Sequence, residues 1–178
     1  MNIYQPKRIL IPADFSDYTP GVLRAAAEIA RRWGAEMHVL HIAKESDHVP
    51  RAMGVYDGPR GGYAMGIADR SKLLEDARLH LQSRLEQLLQ QAGAAGPKAH
   101  AEVMWGEPEE EILRTAEHGG HDLIIMATHG RRGLSRMFLG SVTEDVIRRA
   151  PCPVLVMRDK VAQEAGEAVL AGDGRAAK

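Results

Sequence analysis

The chain predicts an α/β fold built on a parallel sheet with helices on both faces, and three observations lead there. Five short apolar runs recur, at residues 8–12, 37–42, 101–105, 122–127 and 153–157. Between each run and the next lies a segment whose apolar residues repeat at helical spacing. The runs are near-continuously apolar rather than alternating, as strands buried on both faces are. Strand and helix in strict alternation mean βαβ units with right-handed crossovers.

Taken in order, Arg8-Ile-Leu-Ile-Pro12 is rich in β-branched residues and ends in a proline, the mark of a short buried strand. Ser16 and Asp17 are N-cap candidates for a first helix, in which Val22, Ala26, Ile29, Ala30 and Trp33 share one stripe and Gly34 closes the last turn. Pro20 is tolerable only in the first turn and so bounds the start. Met37 to Ile42 is the second strand. Residues 46–68 contain Gly54, Gly58, Gly61, Gly62 and Gly66 without periodicity and read as a flexible insertion. Leu73, Ala77, Leu81, Leu85, Leu88 and Ala92 then line one face of a long helix. Ala101 to Trp105 is the third strand. A helix over Glu109 to Glu117 turns Ile112, Leu113 and Ala116 inward. Pro108 suits its first turn, and three glutamates complement its positive end. Asp122 to Ala127 is the fourth strand, Gly140 or Ser141 opens the last helix, and Pro153 to Met157 is the fifth strand. Residues 1–158 are expected to form one domain. Residues 159–178, rich in Ala, Gly and charge, are expected to be a disordered tail.

Composition narrows the function. The chain has 178 residues, with 23 Lys and Arg against 24 Asp and Glu, so the net charge is -1 and a dedicated nucleic-acid surface is not expected. No apolar run approaches the roughly 18 residues of a membrane span. The polar start lacks a signal peptide's apolar stretch, and the expected compartment is the cytoplasm. One cysteine, Cys152, excludes an internal disulfide framework. The eight histidines are scattered, none at HExxH spacing; His118 and His121 flank a Gly119–Gly120 turn, and no metal site is expected.

In a parallel α/β sheet, ligands sit beyond the carboxyl ends of the strands. Gly130, Gly133 and Gly140 lie in the segment after the fourth strand, and Gly140, Ser141, Val142 and Thr143 stand at a helix start, where unpaired N–H groups favour an anion. Ser141 and Thr143 add hydroxyls, and Arg131 and Arg132 add positive charge. The same pattern also fits a glycine-rich connection in which Ser141 merely caps the helix. Asp14, just past the first strand, is placed either to accept from ribose or adenine groups or to cap the first helix. If the strand order is 3-2-1-4-5, both segments face one crevice. The chain has neither the GxxxxGK[ST] spacing nor GxGxxG, so P-loop hydrolysis of a nucleotide is not expected.

The segments 8–16, 38–42, 106–112, 122–134, 139–146 and 151–156, taken together and in this order, resemble the universal stress protein family. The resemblance implies a Rossmann-like sheet of the adenine nucleotide alpha hydrolase-like kind, in the order 3-2-1-4-5. It also implies a homodimer paired through the last strand, Val154, Leu155, Val156 and Met157, which would otherwise be a bare apolar edge. The ATP-binding branch carries G-x2-G-x9-G-S/T; Gly130, Gly140 and Ser141 match it, while Ala127 replaces the first glycine. By position, Pro12, Ala13, Asp14 and Ile42 would surround adenine and ribose, with Met126 and Ala127 beneath. Gly130, Arg131, Gly140, Ser141, Val142 and Thr143 would hold the phosphates with Mg²⁺. The implied role is a stress-response dimer that senses ATP, hydrolyses it slowly at most, and acts on a regulatory partner. The alternative is a nucleotide-free structural or chaperone-like dimer.

Overall fold

A computed structural model of the chain describes residues 4–48, 67–96, 98–128 and 140–158. Among them run, in chain order, β1 (Arg8–Pro12), α1 (Thr19–Trp33), β2 (Glu36–Ala43), α2 (Glu45–His48), α3 (Ile67–Gln91), β3 (Ala99–Trp105), α4 (Pro108–His118), β4 (Leu123–Ala127), α5 (Ser141–Arg149) and β5 (Val154–Met157). All strand pairs are parallel, in the order β3-β2-β1-β4-β5. The five expected strands are all present, their ends moved by one or two residues where backbone pairing extends or stops short of the apolar run.

Side chains two apart on a strand share a face, so the sheet has two cores. Ile9, Ile11, Val39, Val103 and Ile125 face Leu23, Ala26 and Ala27 of α1 and Leu81, Leu85 and Leu89 of α3. Leu10, Leu40, Ile124 and Met126 face Ile112 and Ala116 of α4 and Val146 of α5. From Ile9 to Ile11 in β1 and from Leu123 to Met126 in β4, successive residues therefore enter alternate cores, which is why these runs show no alternation.

Two local expectations are corrected. Neither Ser16 nor Asp17 caps α1: the N-cap residue is Tyr18, without a side-chain cap bond. Asp14 is instead tied into the turn before the helix, its Oδ1 accepting from the Ser16 N–H at 3.1 Å and the Thr19 hydroxyl at 3.2 Å. The insertion expected at 46–68 is narrower, since residues 45–48 form α2 and α3 already begins at Ile67. An ion pair between Arg70 and Glu45 joins those two margins, a contact that apolar periodicity does not register. The rest of the insertion and the tail at 159–178 lie outside the described residues. At the end of α1, Gly34 takes a left-handed φ of 66°, and its N–H bonds the Ala30 carbonyl, as expected for a helix-closing glycine.

The amino end of β1 is tied down by Asp122, just before β4. Its carboxylate accepts from the Lys7 N–H at 3.0 and 2.8 Å and from the Arg8 N–H at 3.0 Å. Charge-assisted bonds of this kind contribute about 1.5–3 kcal/mol. Asp122→Ala is therefore predicted to lower the urea midpoint by an amount equivalent to about 1–3 kcal/mol, with Asp122→Asn nearer to wild type; an unchanged midpoint for the alanine variant would remove the clamp from the account. No described helix is long and apolar enough to cross a membrane.

Candidate functional site

A proline opens the crevice. The Ala13 N–H donates to the Leu40 carbonyl of β2 at 2.9 Å, so by strand alternation the preceding position turns its backbone toward β4. That position is Pro12, which has no N–H to give. The β1–β4 ladder accordingly holds only Ile9 with Leu123 and Leu10 with Ile124, whereas β1–β2 pairing runs on to Pro12 with Leu40. Beyond Leu10 and Ile124 the two central strands part at their carboxyl ends. This is the point where strand order reverses, the general ligand position of such sheets.

The mouth of this crevice is framed by two segments. After β1, Asp14 is oriented by the Ser16 and Thr19 bonds. The next residue, Phe15, takes a left-handed φ of 60°, a costly conformation for an aromatic residue. Its ring is held against His41, with centroids 4.2 Å apart, and under the Arg84 guanidinium at 4.4 Å. The His41 Nδ1–H donates to the Ala13 carbonyl at 2.6 Å from a buried position in β2. His41 and Phe15 thus set the course of the loop that carries Asp14. Sequence reading passed over both, and the only signal for them was an aromatic residue beside the acid.

After β4, the Thr128 N–H bonds the Met157 carbonyl at 2.9 Å, and the Thr128 carbonyl accepts from the Gly140 N–H, also at 2.9 Å. The segment between them leaves and returns at one spot, and α5 begins there. Its first helical bond runs from Glu144 N–H to the Gly140 carbonyl at 2.9 Å, which leaves the N–H groups of Ser141, Val142 and Thr143 without a helical acceptor. Gly140 is extended (φ -61°, ψ 144°), a conformation open to any residue, so its value lies in lacking a side chain. One expected donor is redirected: the buried Thr143 hydroxyl donates to the Ala127 carbonyl at 3.1 Å and so pins α5 to the end of β4.

Most of the expected site residues therefore converge. Pro12, Ala13 and Asp14 lie at the end of β1, Met126 and Ala127 at the end of β4, and Gly140 to Thr143 at the start of α5. Ile42 and Met126 turn toward the α4–α5 side, where Met126 is buried in the core. Ala13 and Ala127 turn toward the α1–α3 side. Gly130, Arg131 and Arg132 lie outside the described residues. For a polyphosphate the fit is favourable in kind: three amides at a positive helix end, a parted strand pair, and the Ser16 Oγ, buried without a partner among the described residues.

A five-stranded parallel sheet in this order, with its crevice at the reversal point, defines the Rossmann-like class of α/β proteins. The Universal stress protein family profile matches residues 6–158. The chain belongs to the universal stress protein family. It is 36% identical over 158 residues to universal stress protein MJ0531 of Methanocaldococcus jannaschii, covering 88% of this chain and 84% of that one. Among solved structures it resembles universal stress protein UspA from Lactobacillus plantarum (27% identity, TM-score 0.66, 88% of this chain and 100% of that chain). It also resembles hypothetical protein MJ0577, the subject of a structure-based assignment of biochemical function (29% identity, TM-score 0.67, 85% and 95%). A universal stress protein solved in complex with cAMP shares the fold at 16% identity, with a TM-score of 0.61 over 88% of this chain and 99% of that one.

Proposed function

We propose that this protein binds ATP, with Mg²⁺, in the crevice between β1 and β4, and works as a cytoplasmic nucleotide-dependent sensor rather than as a catalyst. The observation that carries this reading is the first turn of α5, whose three amides without a helical acceptor stand where Pro12 has parted the central strands. Hydrogen bonds to a charged phosphate contribute on the order of 1.5–3 kcal/mol each, so three of them offset the cost of ordering a loop. Asp14, fixed by Ser16 and Thr19, is the acceptor for ribose hydroxyls or the adenine amino group. Gly130, Arg131 and Arg132, outside the described residues, are the further phosphate ligands that the family resemblance implies. The chain has no lysine at P-loop spacing, and we expect slow hydrolysis at most.

Ala127, in place of the signature's first glycine, favours a second reading, a nucleotide-free structural or chaperone-like dimer. Mass spectrometry of small molecules released from the freshly purified protein, followed by calorimetric titration with Mg-ATP, separates the two. The sensor reading expects adenine nucleotide and saturable binding. Neither a released nucleotide nor a heat of binding leaves the second.

Under either reading we take the active unit to be a homodimer formed along β5. This strand sits at the sheet edge with Leu155 41% exposed, and Ile147 of α5 is 45% exposed. Leu155→Lys is predicted to convert a dimer into a monomer in sedimentation or light scattering, with little loss of monomer stability, because a charge on a strand edge opposes pairing. A dimer that survives this substitution at micromolar concentration places the interface elsewhere.

A further inference from the structure

At the opposite end of the sheet, where β1, β2 and β3 begin, lies a cleft of ≈ 470 Å³ lined by Arg8, Glu36, His38, His100, Glu102 and His121, among others. Three of the eight histidines that look scattered in the sequence meet here. The β2–β3 register sets His38 beside His100. Alternation along β3 puts Glu102 on the same face, and His121 enters from the turn after α4. On this face the apolar row Leu10, Leu40 and Met104 gives way to polar residues past the end of the core.

The donor atoms are close together. His38 Nε2 lies 2.9 Å from Glu102 Oε2, and His38 Nδ1 lies 3.2 Å from His121 Nε2. His121 Nδ1 lies 2.9 Å from the Thr115 carbonyl. The His38 and His100 rings have centroids 5.2 Å apart, and one ligand atom each from His38, His100 and Glu102 falls within 4.8 Å of the other two.

A carbonyl only accepts, so the proton of a neutral His121 sits on Nδ1 and its Nε2 is an acceptor. That acceptor takes the Nδ1 proton of His38. A neutral His38 then presents a bare Nε2 lone pair to a carboxylate oxygen at 2.9 Å. Two acceptors at that separation need something between them, either a proton carried by Glu102 or supplied through one of the imidazoles, or a metal ion.

We propose that His38, His100 and Glu102 hold a divalent cation of the zinc class, with His121 as the positioning residue behind His38. Two imidazoles and one carboxylate suit Zn²⁺, and three protein ligands leave a fourth position for water. The relay from His38 through His121 to the Thr115 carbonyl is the outer shell that orients a ligating imidazole. Tetrahedral ligation draws the three groups inward, and the movable partners are the exposed His100 and Glu102, whose side chain is 41% exposed. The two cations lining the cleft are turned to other acceptors: Arg8 to Glu36 at 3.5 Å and to the Gly119 carbonyl, and the Lys98 ammonium to the Gly34 carbonyl at 2.8 Å.

The test uses the full chain stripped of metal by chelation, then titrated with Zn²⁺ against a chromophoric competitor and, separately, with Co²⁺ read by its visible absorption. One equivalent and a tetrahedral Co²⁺ spectrum are expected. His100→Ala and Glu102→Gln, both on the surface, should each weaken Zn²⁺ binding at least tenfold, and His121→Ala about 10–100-fold through the outer shell. Circular dichroism and Mg-ATP titration should be unchanged for the two surface variants. A wild-type chain with no tetrahedral Co²⁺ signal, or one whose Zn²⁺ affinity equals that of the His100→Ala/Glu102→Gln double variant, overturns the site. Neither result bears on the nucleotide crevice at the other end of the sheet.

Discussion

Gly140→Asp is expected to lower Mg-ATP affinity by about a hundredfold or more while leaving the protein at least as stable as wild type. The two effects separate because of the local geometry. Gly140 is the N-cap of α5 with φ -61° and ψ 144°, so an aspartate enters without backbone strain. Aspartate is among the best N-cap residues, and its carboxylate would accept from the amides of Val142 or Thr143. Those are the amides proposed to grip phosphate, so the side chain both occupies them and repels the ligand. Losing two charge-assisted bonds of about 1.5–3 kcal/mol each corresponds to roughly two to four powers of ten in affinity. Ser141→Glu, one residue on, tests the same turn by adding a negative charge without a capping geometry. Calorimetric titration of the three proteins, beside their thermal melts, checks the account. Equal affinities in all three would show that the first turn of α5 holds no phosphate.

The second large effect concerns stability. Ile124 is 0% exposed in the central strand β4, packed in the core that Leu10, Leu40, Ile112, Ala116, Met126 and Val146 share. Its neighbours in the sheet are Leu10 on one side and Val154 on the other. Ile124→Ala removes three heavy atoms from a site walled by two strands and two helices, which cannot collapse to fill the gap. The expected cost is about 2–5 kcal/mol, against about 0.5–1.5 kcal/mol for Ile124→Val. For a chain of this length each kcal/mol moves the melting temperature by roughly 2–4 °C. The alanine variant should therefore melt roughly 4–20 °C below wild type. Paired urea and thermal melts of the two variants decide it: a difference under about 1 kcal/mol between them would mean this face of the sheet is loosely packed.

The sequence by itself determined the order and type of every described element except the short α2, because burial on two faces and helical periodicity are local properties. Apolar runs such as Leu123 to Met126 can only be strands covered on both sides, and the stripe of Leu81, Leu85 and Leu88 can only be a helix with one inward face. It also named most of the crevice, since β1 and β4 end in residues that announce themselves: a proline, an acid, and a glycine-led helix start. Even there, the tie from Asp14 to the Thr19 hydroxyl and the turning of the Thr143 hydroxyl toward Ala127 depended on atoms brought close by folding.

Only the tertiary structure decided what is non-local. Pro12 reads in sequence as the end of a strand, but its consequence, the parting of β1 from β4, depends on which neighbour its missing N–H would have faced. His41 sits 28 residues from the Ala13 carbonyl it holds. His38, His100, Glu102 and His121 come from three separate segments, β2, β3 and the turn after α4, and match no spacing motif. Strand register, not chain distance, makes them neighbours, and a one-residue slip of β3 would have sent His100 and Glu102 to the other face of the sheet.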